Sequence, residues 1–337
     1  MEHVAIDIGG KESQICVRAT GGAIVLERRH RTADLGEFFA KREPSVVILE
    51  TCAEAFELAE LARAANHQVR VVSATLVRAL GVGARGVKTD VRDARLLSEA
   101  SCRMDLPSVH VPARESRDRK TICGMRDELV ESRTKLINSV RGWLRATARR
   151  PRSGSSETFV KRVRALVPDA PVHVEALLAA IDALSAQIDV IHAQISKVAK
   201  EDATCRLLMT MPGVGPITAV RFVAAIDDRT RFDDAHKVQS YFGLTPGERS
   251  SSESQHRTGI TKAGCNKTRW CLVQAAWVAW RRRPSHPIVR WAREVEKRRG
   301  RRTALVALAR KLAGVLFAMW RDGKPYDDQR GAMPIAA

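Results

Sequence analysis

What the chain lacks narrows it first. Its seven cysteines, at positions 16, 52, 102, 123, 205, 265 and 271, are odd in number and scattered, with no CxxC pair or histidine cluster. Such usage argues against a disulfide framework or a cysteine zinc site and fits small buried hydrophobes in a reducing cytoplasm. The apolar stretches read as too short to span a bilayer, and Met1-Glu2-His3 does not open a signal peptide. No membrane partner is expected. Acidic charge is in the minority, with 38 Asp and Glu against 57 Lys and Arg, a net charge of +19. That excess implies a polyanionic partner, and nucleic acid is the first choice. The 337 residues present suffice for two domains and a sizeable core.

Four carboxylates in the first hundred residues carry most of the information. Asp7 ends the apolar run Val4-Ala5-Ile6, and Glu50 ends Val46-Val47-Ile48-Leu49. Asp90 and Asp93 sit three apart in Lys88-Thr89-Asp90-Val91-Arg92-Asp93-Ala94-Arg95, so on a helix they share one face. Acids at the ends of buried strands are costly unless something cationic meets them. A pair of divalent metals, about 4 Å apart and clamping an in-line phosphoryl displacement, is one answer. Simpler ones are strand-end acids, or Asp90 and Asp93 paired with Arg92 and Arg95. Asp7-Ile8-Gly9-Gly10 also fits the phosphate-binding turn of an actin-like ATPase. That fold needs a second such turn, and its nearest candidate, Asp322-Gly323-Lys324, lacks a preceding apolar strand.

Residues 1–105 alternate strand and helix. Strands are expected at Val4–Ile8, Ser13–Arg18, Ala23–Glu27, Ser45–Leu49 and Gln68–Val72, with helices at Asp34–Ala40 and Ala53–Ala65. A glycine-rich segment with Gly81, Gly83 and Gly86 precedes the helix bearing Asp90 and Asp93. A three-strand meander followed by strand–helix alternation is the order of a mixed α/β, ribonuclease-H-like domain. Residues 115–202 read as helical. Val174, Leu177, Ile181, Leu184, Ile188, Ile191, Ile195 and Val198 form a heptad seam, and a weaker one runs through Ile122, Met125, Leu129, Leu136, Val140 and Trp143. Such a pair makes an intramolecular hairpin or a dimerising coiled coil, and the pattern fits both.

Residues 203–330 form a third, mainly α region. Met211-Pro212-Gly213-Val214-Gly215-Pro216 fits a helix-hairpin-helix turn, with Gly213 and Gly215 letting backbone amides approach a phosphate. Downstream, Gly243-Leu244-Thr245-Pro246 leads into Ser250-Ser251-Ser252, and Thr261-Lys262-Ala263-Gly264 follows. A serine run is usually a polar connector. Here Arg249, His256, Arg257, Lys262, Lys267 and Arg269 flank it, cations able to hold a scissile phosphate beside an attacking hydroxyl. Farther on, Arg281, Arg282, Arg283, Arg298 and Arg299 interleave with Trp277, Trp280 and Trp291, arginine for phosphates and tryptophan for unpaired bases or core.

Together these motifs resemble the bridge-RNA-guided insertion-sequence transposases, also called DEDD transposases. The resemblance rests on Ala5-Ile6-Asp7-Ile8-Gly9-Gly10-Lys11, Val47-Ile48-Leu49-Glu50-Thr51, Lys88-Thr89-Asp90-Val91-Arg92-Asp93-Ala94, Met211-Pro212-Gly213-Val214-Gly215, Gly243-Leu244-Thr245-Pro246 and Thr261-Lys262-Ala263-Gly264, in order over nearly the full length. It implies a RuvC-like N-terminal domain whose tetrad Asp7, Glu50, Asp90 and Asp93 holds Mg²⁺ or Mn²⁺, and a C-terminal transposase domain supplying a serine nucleophile. The family serine lies about five residues after the Gly-Leu-Thr-Pro proline, which designates Ser251. This chain departs by carrying Ser252 where glycine is common, which leaves Ser250 as the first substitute. The resemblance further implies a covalent phosphoserine–DNA intermediate, donor and target DNA, a structured non-coding guide RNA, a dimer or tetramer, and a cytoplasmic, nucleoid-associated bacterial protein. The rival readings are a metal-dependent Holliday-junction nuclease that uses water and a non-catalytic nucleic-acid-binding protein.

Overall fold

The computed structural model describes residues 1–79, 89–251 and 254–327, and along 249–257 only backbone. Contacts divide the chain into two units, Met1–Pro112 and Ala113–Ala337. The expected regions 115–202 and 203–330 both fall within the second.

In the first unit, β1 (His3–Asp7), β2 (Glu12–Arg18), β3 (Ile24–Arg31), β4 (Val46–Glu50) and β5 (Gln68–Val72) form one sheet in the order β3-β2-β1-β4-β5. β1 pairs antiparallel with β2 and parallel with β4, so the sheet is mixed, consistent with a ribonuclease-H-like domain. The inner residues of β1 and β4 are buried on both faces, which is why Val-Ala-Ile and Val-Ile-Leu show no polar alternation. Helices α1 (Leu35–Ala40) and α2 (Ala55–Ala64) cover one face over Val4, Ile6, Val47 and Leu49. After a short α3 (Ala74–Ala79), α4 (Asp90–Arg103) covers the other through Leu97 and Ala100, over Ala5, Ile48 and Val72. The glycine-rich segment around Gly81, Gly83 and Gly86 lies outside the described residues. β3 runs on to Arg31, beyond the expected Glu27, because Glu12 to Arg18 of β2 supply partners along its length. The charged run Arg28-Arg29-His30-Arg31 belongs to an edge strand, where charge deters pairing with another sheet.

The second unit is mainly helical. Its long helices α5 (Arg114–Ala146) and α7 (Val172–Glu201) pack along each other, joined through α6 (Phe159–Leu166). Ile137 and Leu144 of α5 meet Val174 and Ile181 of α7, while Cys123 shares a cluster with Ile195 and Ala199. The pair is therefore antiparallel within one chain. Val174, Ile181, Ile188 and Ile195 are buried, while Leu177, Leu184, Ile191 and Val198 are half-buried. The remaining helices are α8 (Ala203–Leu208), α9 (Pro216–Ile226), α10 (Ala235–Tyr241), α11 (Asn266–Arg282), α12 (Pro287–Arg299) and α13 (Arg301–Asp322). A hairpin of β6 (Pro246–Ser251) and β7 (Ser254–Ile260) precedes α11, so Ser250 and Ser251 lie on a strand rather than in a connector.

Two further expectations are corrected. Cys52 is exposed, and Cys102 and Cys265 are half-buried, so the cysteines are not uniformly buried hydrophobes. Helix α13 is long and apolar enough to cross a membrane, contrary to the reading that every apolar stretch is too short. Its apolar residues pack in the unit's core instead, with Leu308, Leu312 and Leu316 wholly buried, and it ends at Gly323 as a left-handed cap. Asp322-Gly323-Lys324 is thus a helix end, not the strand turn of an ATPase.

Candidate active site and nucleic-acid interface

Asp7 and Glu50 occupy the last positions of neighbouring parallel strands, one step beyond the pair Ile6 and Leu49. By strand alternation Asp7 shares the face of Ala5 and Glu50 that of Ile48, the face covered by α4. That helix runs the right way. Ser101 near its end meets His3 at 2.7 Å, while Asp90 at its start borders Glu12, Ser13 and Gln14 beside the end of β1. Thr89 caps it, accepting from the Arg92 amide at 3.3 Å, and both acids occupy the first turn, where the helix dipole favours negative charge. Asp93 is only 3% exposed, whereas Asp90 faces solvent. Arg95 reaches Glu27 at 2.6 Å, so its guanidinium is engaged away from these acids.

Four carboxylates are the hard oxygen donors that Mg²⁺ or Mn²⁺ takes. In donor chemistry the set fits such an ion. Among the described residues, however, no three acids, histidines or cysteines stand close enough together to hold a metal. The tetrad shares one face and one end of the sheet without forming a finished coordination sphere. Asp90 also opens onto a cavity of about 500 Å³ lined by Lys11, Arg29 and Arg31, which sets three cations beside the acid.

In the second unit, the two short motifs around the serine run hold each other. Lys262 N donates to the Gly243 carbonyl at 3.1 Å and Thr261 N to the Thr245 carbonyl at 2.9 Å. Gly243 adopts φ +64°, and a Cβ there would lie 2.4 Å from the Ala263 backbone, so only glycine lets the two segments meet. Above this base the hairpin pairs Arg249 with His256, Ser250 with Gln255 and Ser251 with Ser254, which sets Ser251 at the end of β6. Ser252 and the side chains of Arg249 and Arg257 lie outside the described residues. Arg269 Nη1 donates to the carbonyls of Phe242 and Ala263 at 2.9 and 2.8 Å, bracing the same base. Lys267 pairs with Glu131 of α5, and Lys262 is exposed.

Where a helix-hairpin-helix is expected, the chain runs through α8, a turn and α9. Gly213 turns at φ +90° with its α-carbon against α11, where a Cβ would meet the Ala275 carbonyl at 2.3 Å. Gly215 caps α9 without a side-chain partner, and Pro216 follows at the first helical position. A cavity of about 550 Å³ brings Gly213 and Gly215 together with Arg282 and Arg283. Arg281 instead stacks over Trp277 at 5.2 Å. Arg298 and Arg299 lie at the far end of α12 and line no part of this cavity. Trp280 is buried in the core, as its helical face implies, while Trp270 is 59% exposed.

Two family models match this chain. A DEDD transposase model of the IS110 type spans residues 4–148, and the IS116/IS110/IS902 transposase model spans 205–288. The chain belongs to this transposase family. The transposase for insertion sequence element IS1111A of Coxiella burnetii is 25% identical over 325 residues, covering 94% of this chain and 88% of that protein. A probable family 20 transposase of Pseudomonas aeruginosa is 29% identical, covering 95% and 96%. The transposase for insertion sequence element IS1328 of Yersinia enterocolitica is 27% identical, covering 95% and 97%. The protein is accordingly a DNA transposase, and the cations beside Asp90 take on meaning. Sequence reasoning passed over Lys11, Arg29 and Arg31 as candidates. Their signal is the run Arg28-Arg29-His30-Arg31, whose alternate members face one way once it is recognised as a strand.

Proposed function

We propose that this transposase cuts and rejoins DNA through a covalent phosphoserine intermediate. The observation that carries the acidic half is the convergence of Asp7 and Glu50, at two adjacent strand ends, with the α4 start bearing Asp90 and Asp93, on one face of one sheet. These four acids would hold Mg²⁺ or Mn²⁺, which supplies charge stabilisation for oxygens on the scissile phosphate. Lys11, Arg29 and Arg31, around the cavity that Asp90 borders, would bind the DNA strand's neighbouring phosphates. Ser251 is the nucleophile. Its backbone lies at the end of a strand whose base is locked backbone to backbone, which supports this reading.

In the chemistry proposed, the Ser251 oxygen forms a P–O bond as the strand's own P–O ester breaks. The serine proton is lost and the departing DNA oxygen gains one. A hydroxyl of the incoming strand then attacks the phosphoserine, restoring a phosphodiester and the free serine. The number of phosphate ester bonds is unchanged throughout, so no nucleotide cofactor is required. Ser250 is the substitute nucleophile. Guidance by a structured non-coding RNA, with sequence choice made by base pairing, and assembly as a dimer or tetramer complete the reading. The net charge of +19 and the cavity uniting Gly213, Gly215, Arg282 and Arg283 support a nucleic-acid partner.

A trapping assay tests it. Full-length protein, Mg²⁺, the neighbouring non-coding RNA and labelled donor DNA are quenched in denaturant and separated on a gel. A covalent protein–DNA band that vanishes in Ser251→Ala is the expected result. A band that vanishes only in Ser250→Ala moves the nucleophile by one residue. Cleaved DNA without any covalent band overturns the serine chemistry in favour of a water-using nuclease.

A further inference from the structure

We propose that the tip of the α5–α7 pair is a second DNA site, which grips the duplex backbone. Residues 132–168 contain ten Lys and Arg but one carboxylate, Glu157, and that one pairs with Arg133 at 3.2 Å. Here the helix end, the connecting loop and α6 enclose a cavity of about 490 Å³ lined by Arg141, Arg145, Arg149, Arg150, Arg152 and Arg162, with no acid among the lining residues.

The cavity is a shaped cradle. Arg162 donates to the carbonyls of Arg152 and of Ser155, the latter at 2.7 Å, and so sets the path of the loop. A Cβ on Gly154 would stand 2.9 Å from the Arg162 guanidinium carbon, which shows how closely loop and side chain fit. The Arg141 and Arg162 guanidiniums lie over the Phe159 ring at 5.4 and 5.8 Å, and Phe159 is wholly buried. Arg162 is thereby committed to holding the site, while Arg145, Arg149, Arg150 and Arg152 present exposed side chains. Among the described residues no carboxylate pairs with these four or with Arg141.

Guanidiniums gathered without acids repel one another unless an anion joins them. Their planar forks match phosphate oxygens. The lining offers no exposed aromatic for stacking and no side-chain amide for reading base edges, so the site recognises backbone rather than sequence. Duplex DNA is the polyphosphate that a transposase of necessity handles, and it is the occupant assigned. The inference does not rest on the roles given to Ser251 or to the acids.

The test is the salt dependence of binding by the full-length protein. A short labelled DNA duplex of arbitrary sequence and an RNA duplex of equal length are titrated by fluorescence anisotropy between about 50 and 200 mM salt. In the triple variant Arg149→Ala, Arg150→Ala, Arg152→Ala, the slope of log K against log salt on DNA should become shallower by about 2.7, about 0.9 for each phosphate no longer neutralised. The triple Lys variant keeps the charges and should keep most of the slope. Arg150→Glu alone, on an exposed side chain, should flatten the slope even if the triple variant melts early. An unchanged DNA slope in both Arg150→Glu and a folded triple variant overturns the proposal, and so does a weakening confined to the RNA duplex.

Discussion

At the scale of single residues, two kinds of position have sharp consequences. Gly243 combines a positive φ with a backbone neighbour 2.4 Å from any added Cβ. Gly243→Ala should cost at least about 1–3 kcal/mol and lower the melting temperature of the second unit. Gly215→Ala is the control, because its added Cβ meets nothing within 4 Å and its φ is −103°. The thiols make the second kind. Burial, aided by the Asp202 carboxylate, pushes Cys205 up to about 12, and burial pushes Cys271 up to about 11. An unfolded thiol ionises near 8.5. Between these values the unfolded chain has given up protons that the native chain keeps. Stability is therefore full below about pH 8.5 and falls as pH rises, by up to about 1.4 kcal/mol per pH unit for each thiol. Urea midpoints measured from neutral to alkaline pH should show this decline. Burial raises the Cys265 thiol too, but hydrogen bonds from Thr268 and the Lys267 amide outweigh it and leave a net lowering. Cys265 should thus react with iodoacetamide well before Cys205 or Cys271, read by mass spectrometry of the folded protein.

At the scale of elements, α5 and α9 are tied by a buried charge pair. Arg221 reaches Asp127 at 2.9 Å and the Cys123 carbonyl at 3.0 Å from the same nitrogen, with both side chains largely out of solvent. Asp127 also has Lys267 and Arg126 within 4.0 Å, whereas loss of Asp127 leaves Arg221 only the Cys123 carbonyl. Asp127→Ala should destabilise the second unit by about 3–5 kcal/mol, whereas the double change Asp127→Leu with Arg221→Leu should recover much of that stability. Chemical denaturation of the three proteins decides it, and a single variant as stable as wild type would show that the pair holds nothing. The same scale explains which elements were legible. The heptad run in α7 was plain because Val174, Ile181, Ile188 and Ile195 recur at helical spacing, and all four are buried. The end of β3 was hidden, since an edge strand takes its order from the ladder of β2 rather than from apolar residues of its own. The serine hairpin was hidden for a related reason: Gly-Glu-Arg-Ser-Ser carries no strand pattern, and its base is locked by Gly243 and Lys262.

For the whole molecule, charge and chemistry separate. With a net charge of +19, most of the affinity for DNA should come from phosphate contacts spread over many cations. Removal of one acid should leave that affinity intact. Asp90→Asn is expected to abolish strand cleavage while the DNA dissociation constant and its salt slope stay close to wild type. Retained cleavage on a labelled donor would remove Asp90 from the proposed tetrad.

Composition, strand-ending acids and the order of short motifs were enough to specify a nucleic-acid-handling α/β protein with helical regions to follow, because periodicity and charge are local properties of the chain. Those same motifs carried the family. Proximity needed the tertiary structure. Only the sheet order sets the ends of β1 and β4 side by side and aims the first turn of α4 at the same edge. Only packing brings Arg282 and Arg283 to Gly213 and Gly215, or gathers six arginines around one cavity at a helix end. The sequence determines which residues can do chemistry, since that depends on their own atoms. Which of them meet depends on contacts between positions far apart in the chain, and the fold alone decides those.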